Sequence, residues 1–418
     1  MNQSKIKAQT LKGFRDFLPK DMVIRNYVKD ILVQTFETFG FLPIETPALE
    51  YASTLTGKDS AGNEAEKLMY MFKDNGDRQV GLRYDLTIPV SKVLAIYQNE
   101  IQLPFKRYQI QPVYRAEKPQ KGRYREFTQC DIDIFGQPSP INEAELVAII
   151  YTALTKLGFK KFTIRLNSRV VLSQILSQSG LENQKNTVLQ SIDKLDKIGE
   201  DGVKNELISK GIPTDQINQV FDYIKSAQPD EYLKNVIEKI SQFGVLQDYY
   251  KFDPTLVRGL DYYTGPIIET SVEEPKIGSI GGGGRYDNLI SSLGGPDIPA
   301  VGYSFGLDRI VDVIQELNLV PIAVKNKIKV LVVNFGSETE KESLQLVSQL
   351  RNQEISSIIY PTAQNLGKQI KYALDLGIKY IAIIGSDEVK TNKITLKNLD
   401  TKDQNSINFD ELIEILKK

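Results

Sequence analysis

Residues 258–265, Arg-Gly-Leu-Asp-Tyr-Tyr-Thr-Gly, place a cation, a carboxylate and two phenols around two glycines. A guanidinium beside Gly259 can approach an anion with little steric hindrance, and Tyr262 and Tyr263 offer hydroxyls on flat apolar rings. That mixture suits a small polar molecule joined to a phosphate. The same residues would also serve as a surface strand with a solvated arginine and packed tyrosines. A second cluster, Tyr114 to Phe127, is the densest in charge and carries Arg115, Glu117, Gln120 and Arg123 around a Pro-Gly-containing loop. If a strand leads into that loop and another returns, Arg115 and Arg123 meet on a sheet surface, where two guanidiniums can grip successive phosphates. Alone, such a basic hairpin is more often an ordinary solvated loop. Neither a Walker lysine loop nor a dinucleotide glycine fingerprint is present, and Gly281–Gly284 match neither spacing.

The rest of the composition narrows the chemistry. None of the 418 residues is histidine, which removes the commonest general base and metal ligand and every Ser-His or Cys-His nucleophile pair. Any catalysis must rest on positioning and fixed charge from Arg, Lys, Asp, Glu and Tyr. A single cysteine, Cys130, allows no internal disulfide and no multi-cysteine zinc site, and it reads as a small buried apolar residue. No protein-held metal is expected. Lys and Arg number 52 against 53 Asp and Glu, so nothing global draws the chain to nucleic acid, and such binding would be local. There is no apolar run of about eighteen residues and no signal-like N-terminus, so no membrane segment is expected and the location expected by default is cytoplasmic.

These residues need elements to hold them. Apolar residues Ile24, Tyr27, Val28, Ile31 and Leu32 recur at helical spacing and predict a long helix over Met22 to Phe39 that stops near Gly40. Short β-rich segments follow at Gln79–Arg83, Phe105–Tyr114 and Arg125–Phe135, the last alternating polar with apolar residues, which predicts an antiparallel sheet. From about 170 to 250 the pattern turns helical, broken at Gly180, Gly199 and Gly211, and reads as an insertion. Strand-like sequence resumes from Leu256 to Val272 and at the glycine run from Gly278, before a helix from Gly306 to Leu317. Beyond a linker near Val320–Lys327, strands at Lys329–Asn334, Ile355–Tyr360 and Tyr380–Ile384 alternate with helices at Glu338–Gln353 and Leu366–Leu376. The expected organisation is therefore an α+β domain over 1–325 with a helical insertion, and a separate, mainly parallel α/β domain over 326–418.

The resemblance to a known family rests on these same segments. Arg115-Ala-Glu117, the basic loop and the returning Phe127 resemble motif 2 of the class II aminoacyl-tRNA synthetases. Gly302-Tyr-Ser-Phe-Gly-Leu-Asp-Arg309 resembles their motif 3, and Pro47, after the long first helix, is similar to the end of motif 1. Leu256–Gly265 and Gly281–Asp287 resemble the two signatures of the histidyl-tRNA synthetase family, and the likeness runs from Leu11 to the C-terminus. It implies that ATP is bound by Arg115 at the α-phosphate, Arg123 toward the outer phosphates, Phe127 and Arg309 on the two faces of adenine, and Glu117 at its edge. Arg258 would be the family's own catalytic arginine, opposite Arg115. Two cations around a pentacoordinate phosphorus stabilise the charge that builds on its equatorial oxygens, and the attacking group is the amino acid's own carboxylate, so no enzymic histidine is required.

For histidine, the resemblance implies Asp85, Thr87 and Gln129 at the ammonium group, and Asp133, Tyr263 and Tyr286 at the imidazole. Many members carry Glu in place of Asp133 and a different acidic loop around Asp85; this chain follows the Asp-Leu-Thr version also found in the family. Gln120 falls where the family reads the first base pair of its tRNA acceptor stem, and the C-terminal domain resembles the anticodon-binding module by domain order. The implied protein is a homodimeric ligase that uses ATP, with Mg2+ accompanying it, to join L-histidine to its tRNA. The competing reading is a non-catalytic, histidyl-synthetase-like regulatory subunit of ATP phosphoribosyltransferase. Such paralogues commonly lack the C-terminal domain and have eroded ATP residues, whereas Arg115, Arg123, Arg258 and Arg309 all stand here.

Overall fold

Pro19 opens the first helix, Pro19–Thr38, where its missing N–H costs nothing and Asp21 complements the positive end of the helix dipole. The helix starts three residues before the hydrophobic periodicity does, for this reason. Val28, Leu32 and Phe36 recur every fourth residue and are fully buried. This computed structural model describes residues 7–56, 66–120, 122–258, 262–275, 277–321, 324 and 327–417. They divide into two compact units, Met1–Leu319 and Val320–Lys418.

The strands of the first unit are β1 (Leu42–Pro43), β2 (Leu49–Tyr51), β3 (Met71–Lys73), β4 (Gln79–Leu82), β5 (Phe105–Tyr114), β6 (Glu126–Phe135), β7 (Phe162–Ser168), β8 (Tyr250–Phe252), β9 (Pro266–Val272), β10 (Ser279–Arg285) and β11 (Ala300–Gly306). Eight of them form one sheet in the order β1-β5-β6-β11-β10-β9-β7-β8, and β2-β4-β3 form a small second sheet. The run from β5 to β7 is antiparallel throughout, while the edge pairs β1/β5 and β7/β8 are parallel. Parallel neighbours require a long crossover, and between β7 and β8 that crossover is the helical segment itself.

That segment contains helices Arg169–Gln178, Lys185–Ile192, Leu195–Ser209, Thr214–Ser226 and Glu231–Gln242. The third is kinked at Gly199, whose φ of 72° belongs to the left-handed region. It is no detached appendage: Val171, Leu172, Val188 and Leu189 share one apolar core with Leu256, Val257, Tyr262 and Tyr286. The last of these helices packs against helix Pro140–Lys156. Buried Glu143 on that helix pairs with Arg285 of β10 at 2.6 Å, and Tyr232 of the last helix donates to the same carboxylate at 3.2 Å. Removing either charge of such a pair would strand the other in a dry interior.

The strand expected over Leu256–Val272 begins only at Pro266. Before it, side chains take the backbone carbonyls that a neighbouring strand would have used. Asn167 Nδ2 donates to the carbonyls of Pro254 and Leu256 at 3.2 and 3.0 Å, and Arg169 donates to that of Arg258 at 2.8 Å. Gly259, Leu260 and Asp261, part of the motif singled out in the sequence, lie outside the described residues.

The second unit has strands β12 (Val330–Val332), β13 (Ser357–Ile359), β14 (Tyr380–Ile383), β15 (Ile394–Asn398) and β16 (Gln404–Ile407) in the order β13-β12-β14-β15-β16. The first three are parallel, as the alternating pattern predicts. β15 and β16 add an antiparallel hairpin that the sequence reading did not name. Their short, mostly polar segments carry little hydrophobic periodicity. Separate apolar clusters fill the two faces of this sheet.

Candidate active site

A cleft of about 880 Å³ lies in the first unit and is lined by every site residue named from the sequence: Asp85, Thr87, Arg115, Glu117, Gln120, Arg123, Phe127, Gln129, Asp133, Arg258, Tyr263, Tyr286 and Arg309. Its position follows from strand alternation. On β6, Cys130, Ile132 and Ile134 belong to the apolar core, and Gln129, Asp131 and Asp133 point the other way. An alternating strand is expected to wet its polar face, yet these three are only 9%, 3% and 2% exposed. The walls of the cleft bury them.

At one end the lining is cationic. Arg115, just past β5, donates to the Tyr84 carbonyl at 3.2 Å and lies over the Tyr84 and Phe127 rings, 4.2 and 5.0 Å from their centroids. Those contacts hold the guanidinium flat without neutralising it. Arg258 is held by Glu269 of β9 at 2.9 Å and passes directly over Gly282, where a Cβ would lie 2.2 Å from its Nη1. Arg309 Nε donates to the Gly122 carbonyl at 2.9 Å, and its Nη1 donates to that of Ser279. Arg123 is half exposed and 3.3 Å from Glu117. Burial lowers the pKa of Arg309, and the charges of Arg123, Arg115 and Arg258 lower it further. This end of the cleft therefore holds surplus positive charge that a polyanion would balance. Gln120 stands at the tip of the hairpin, paired with Arg123 through N–H to carbonyl bonds of 3.1 and 2.9 Å.

The other end is a pocket of buried carboxyls and phenols. Asp85 accepts from the Ile88 N–H at 3.1 Å, at the start of helix Thr87–Ile96, and faces the Tyr262 hydroxyl. Burial raises its pKa. Gln129 Nε2 donates to Ser304 at 2.9 Å. Asp133 is paired with Arg107 at 2.5 Å and accepts from the Tyr286 hydroxyl. The rings of Tyr262 and Tyr263 meet edge to face at 4.9 Å, and Tyr262 and Tyr286 at 5.9 Å. Gly302 lies under Asp133, and a Cβ there would be 1.8 Å from its Oδ1.

Sequence reasoning did not name Arg107 or Glu269, although each fixes a residue that it did name. Both are charged residues inside strands, Arg107 fully buried and Glu269 largely so, and a charge within a strand is the signal that could have found them. Their partners are visible only in space: Arg107 faces Asp133 across β5 and β6, and Glu269 meets Arg258 from outside the strands. The insertion also reaches the site, since Ile192, Asp193, Leu195, Asp196 and Lys197 line the cleft. Arg165 of β7 joins Asp196 at 2.7 Å to Asp253 at 2.8 Å and Glu269 at 3.5 Å.

A mixed sheet with an antiparallel centre, carrying arginines beside a polar pocket for a small molecule, is the architecture of a class II aminoacyl-tRNA ligase. The α/β unit that follows fits the same class. More narrowly, the chain belongs to the histidyl-tRNA synthetase family, whose model, described as Histidyl-tRNA synthetase, matches residues 13–310. A second model, Anticodon binding domain, matches residues 329–418. The histidine–tRNA ligase of Christiangramia forsetii is 39% identical, the alignment covering 98% of this chain and 99% of the relative. That of Clostridium tetani is 37% identical with both chains covered in full. The crystal structure of histidyl-tRNA synthetase from Nostoc sp. PCC 7120 is similar with a TM-score of 0.85 at 31% identity, covering 99% of each chain. The crystal structure of an ATP phosphoribosyltransferase regulatory subunit/histidyl-tRNA synthetase from Bacillus halodurans shares the fold at 20% identity, with a TM-score of 0.73.

Proposed function

We propose that this chain activates L-histidine with ATP and transfers it to the 3'-terminal adenosine of its tRNA. The observation that carries this reading is the polarity of one cleft, with guanidiniums at one end and a buried acid and tyrosine pocket at the other. A substrate carboxylate held between the two ends attacks the α-phosphorus of ATP. The new bond joins a carboxylate oxygen to phosphorus, the bond to the β-phosphate bridging oxygen breaks, and pyrophosphate leaves. In the second step an adenosine hydroxyl of the tRNA attacks the acyl carbon, loses its proton, and AMP departs.

Arg115 and Arg258 flank the α-phosphate and stabilise the charge that accumulates there. Because Glu269 and the Tyr84 and Phe127 rings already hold them, little reorganisation is needed at the moment of reaction. Arg123 meets the outer phosphates, Phe127 and Arg309 enclose adenine, and Glu117 meets its edge. Mg2+ enters with the triphosphate. Asp85, Thr87 and Gln129 receive the ammonium group, and Asp133, Tyr263 and Tyr286 shape the imidazole pocket. Gln120, at the hairpin tip, meets the acceptor stem, and the second unit meets the anticodon.

A homodimer is supported by the apolar side chains that β1, β2 and β3 leave in water: Leu42, Leu49, Tyr51, Met71 and Phe72 are all 36–59% exposed. No helix among the described residues is long and apolar enough to cross a membrane. We place the protein in the cytoplasm, where its substrates are made. The test is pyrophosphate exchange with each of the twenty amino acids, followed by charging of histidine tRNA. Exchange with histidine alone is the expected result; no exchange with any amino acid would favour the regulatory-subunit reading.

A further inference from the structure

Arg165 stands in the middle of β7, between Ile164 and Leu166, which are buried in the core; alternation turns it the other way, into the lining of the cleft. Its guanidinium is a junction. Nε donates to Asp253 at 2.8 Å, Nη2 to Thr255 at 3.2 Å and Nη1 to Asp196 at 2.7 Å. Nη1 also lies 3.5 Å from Oε1 of Glu269, the register neighbour of Arg165 across β7 and β9. Asp196 is 69% exposed, so solvent and salt screen that arm; Arg165, Asp253 and Glu269 are largely buried. The strong arms run to Glu269 and to the turn at Asp253–Thr255, whose carboxylate accepts from the Thr255 N–H at 3.0 Å. Both lead to Arg258: Glu269 bonds its guanidinium, and the turn comes three residues before it in the chain.

Glu269 is thus divided between two guanidiniums. Its Oε2 accepts from Arg258 Nη1 at 2.9 Å, and its Oε1 faces Arg165. A carboxylate with one arginine to itself favours the parallel two-bond fork, which would engage a second Arg258 nitrogen and offset most of its charge. That fork would also draw the guanidinium down onto β9. With Oε1 drawn to another cation, Glu269 steers Arg258 through one bond and offsets its charge only in part. Inside a largely buried cluster this difference is felt more strongly than it would be in water.

We infer that Arg165 is a positioning residue for adenylate formation: by dividing Glu269 it keeps Arg258 aimed at the α-phosphate without neutralising it. This rests on the reading of the chain as a histidine-activating enzyme and adds to it a residue that acts through two others. Because Arg258 serves charge that develops during attack, the effect of Arg165 falls on kcat. The bonds of Asp85, Gln129 and Asp133 run to other residues, so KM for histidine should hardly move.

The experiment measures pyrophosphate exchange and thermal unfolding of the full chain as wild type, Arg165→Gln, Arg165→Lys, Glu269→Gln and the two double variants. Wild-type exchange with histidine tests the underlying reading, and the double-mutant cycles test the inference. Arg165→Gln keeps an N–H donor but removes the charge, and should lower kcat by about ten- to thirtyfold, with KM for histidine and for ATP within a fewfold. Arg165→Lys keeps the charge without the planar fork and should lose only about threefold. Beside Glu269→Gln, where no carboxylate is left to divide, either change should cost less than about twofold. Three results would overturn the inference and leave the function standing: wild-type kcat in folded Arg165→Gln, a loss that falls on KM instead, or a loss that persists undiminished beside Glu269→Gln. Should Arg165→Gln melt below the assay temperature, the lysine cycle decides by the same three criteria.

Discussion

Arg258 shows how one residue is prepared for a transient charge. Glu269 holds Nη1 at 2.9 Å, and the backbone of Gly282 lies directly beneath the guanidinium. Because it acts on charge that develops during attack, Arg258→Ala should lower kcat for pyrophosphate exchange by about a hundred- to a thousandfold. KM for histidine should change only a fewfold. Glu269 keeps Arg165 at 3.5 Å as a partner, so the variant should remain folded. Near-normal exchange would remove Arg258 from the reaction. Asp131 yields a prediction of a different kind. Burial, reinforced by Asp133 and opposed by Arg107, raises its pKa to about 7, and Asp85 also faces it. In the unfolded chain it ionises near the ordinary carboxylate value of about 4. The folded state thus favours the protonated acid, and stability from this group is complete at low pH and lost as pH rises. In ligand-free protein, the melting-temperature difference of Asp131→Asn over wild type should widen from about pH 4 to about pH 7 and then level off. A difference that is flat with pH would refute it.

At the scale of elements, β10 is a strand of consecutive glycines for two separate reasons. A Cβ on Gly282 would meet the guanidinium of Arg258, the movable end of a long side chain. A Cβ on Gly283 would lie 2.0 Å from the Gly302 carbonyl oxygen and 2.6 Å from the Tyr303 Cα, on the backbone of β11. Gly282→Ala should therefore keep the fold and lose adenylation, because Arg258 must move. Gly283→Ala must force two paired strands apart and should lose about 1–3 kcal/mol of stability or fail to fold. Activity assays and thermal melts on the two neighbouring variants read the contrast directly; similar melting losses in both would contradict it.

For the molecule as a whole, the two units have their own cores. The second closes apolar clusters on both faces of its sheet, around Val332 and Leu350 on one side and around Leu331 and Ile381 on the other. Residues 320–418 expressed alone should unfold cooperatively. Residues 1–319 alone should retain histidine-dependent pyrophosphate exchange while charging tRNA poorly, because the whole cleft lies in that unit. Loss of exchange in the folded fragment would show that the second unit takes part in adenylation.

By itself the sequence determined the elements and the residue types of the site. Helix Pro19–Thr38, the β5/β6 hairpin, the helical segment and the alternation of the second unit are all written in local periodicity, because burial repeats with the element's own period. The motifs around Arg115, Arg258 and Arg309 were legible through the family resemblance, since each segment alone reads as well as a solvated loop or strand. The edge pairings, the late start of β9 and the β15/β16 hairpin were not legible, since long crossovers and competing side-chain bonds leave no local period. Tertiary structure alone decided which carboxylate has a cation beside it. Asp131 and Asp133 are equivalent in an alternating pattern, two residues apart on one face. Only the register of β5 and β11 against β6 brings Arg107 to one and leaves the other with Ser304, and hydrogen-bonding capacity is a property of neighbours in space rather than in sequence.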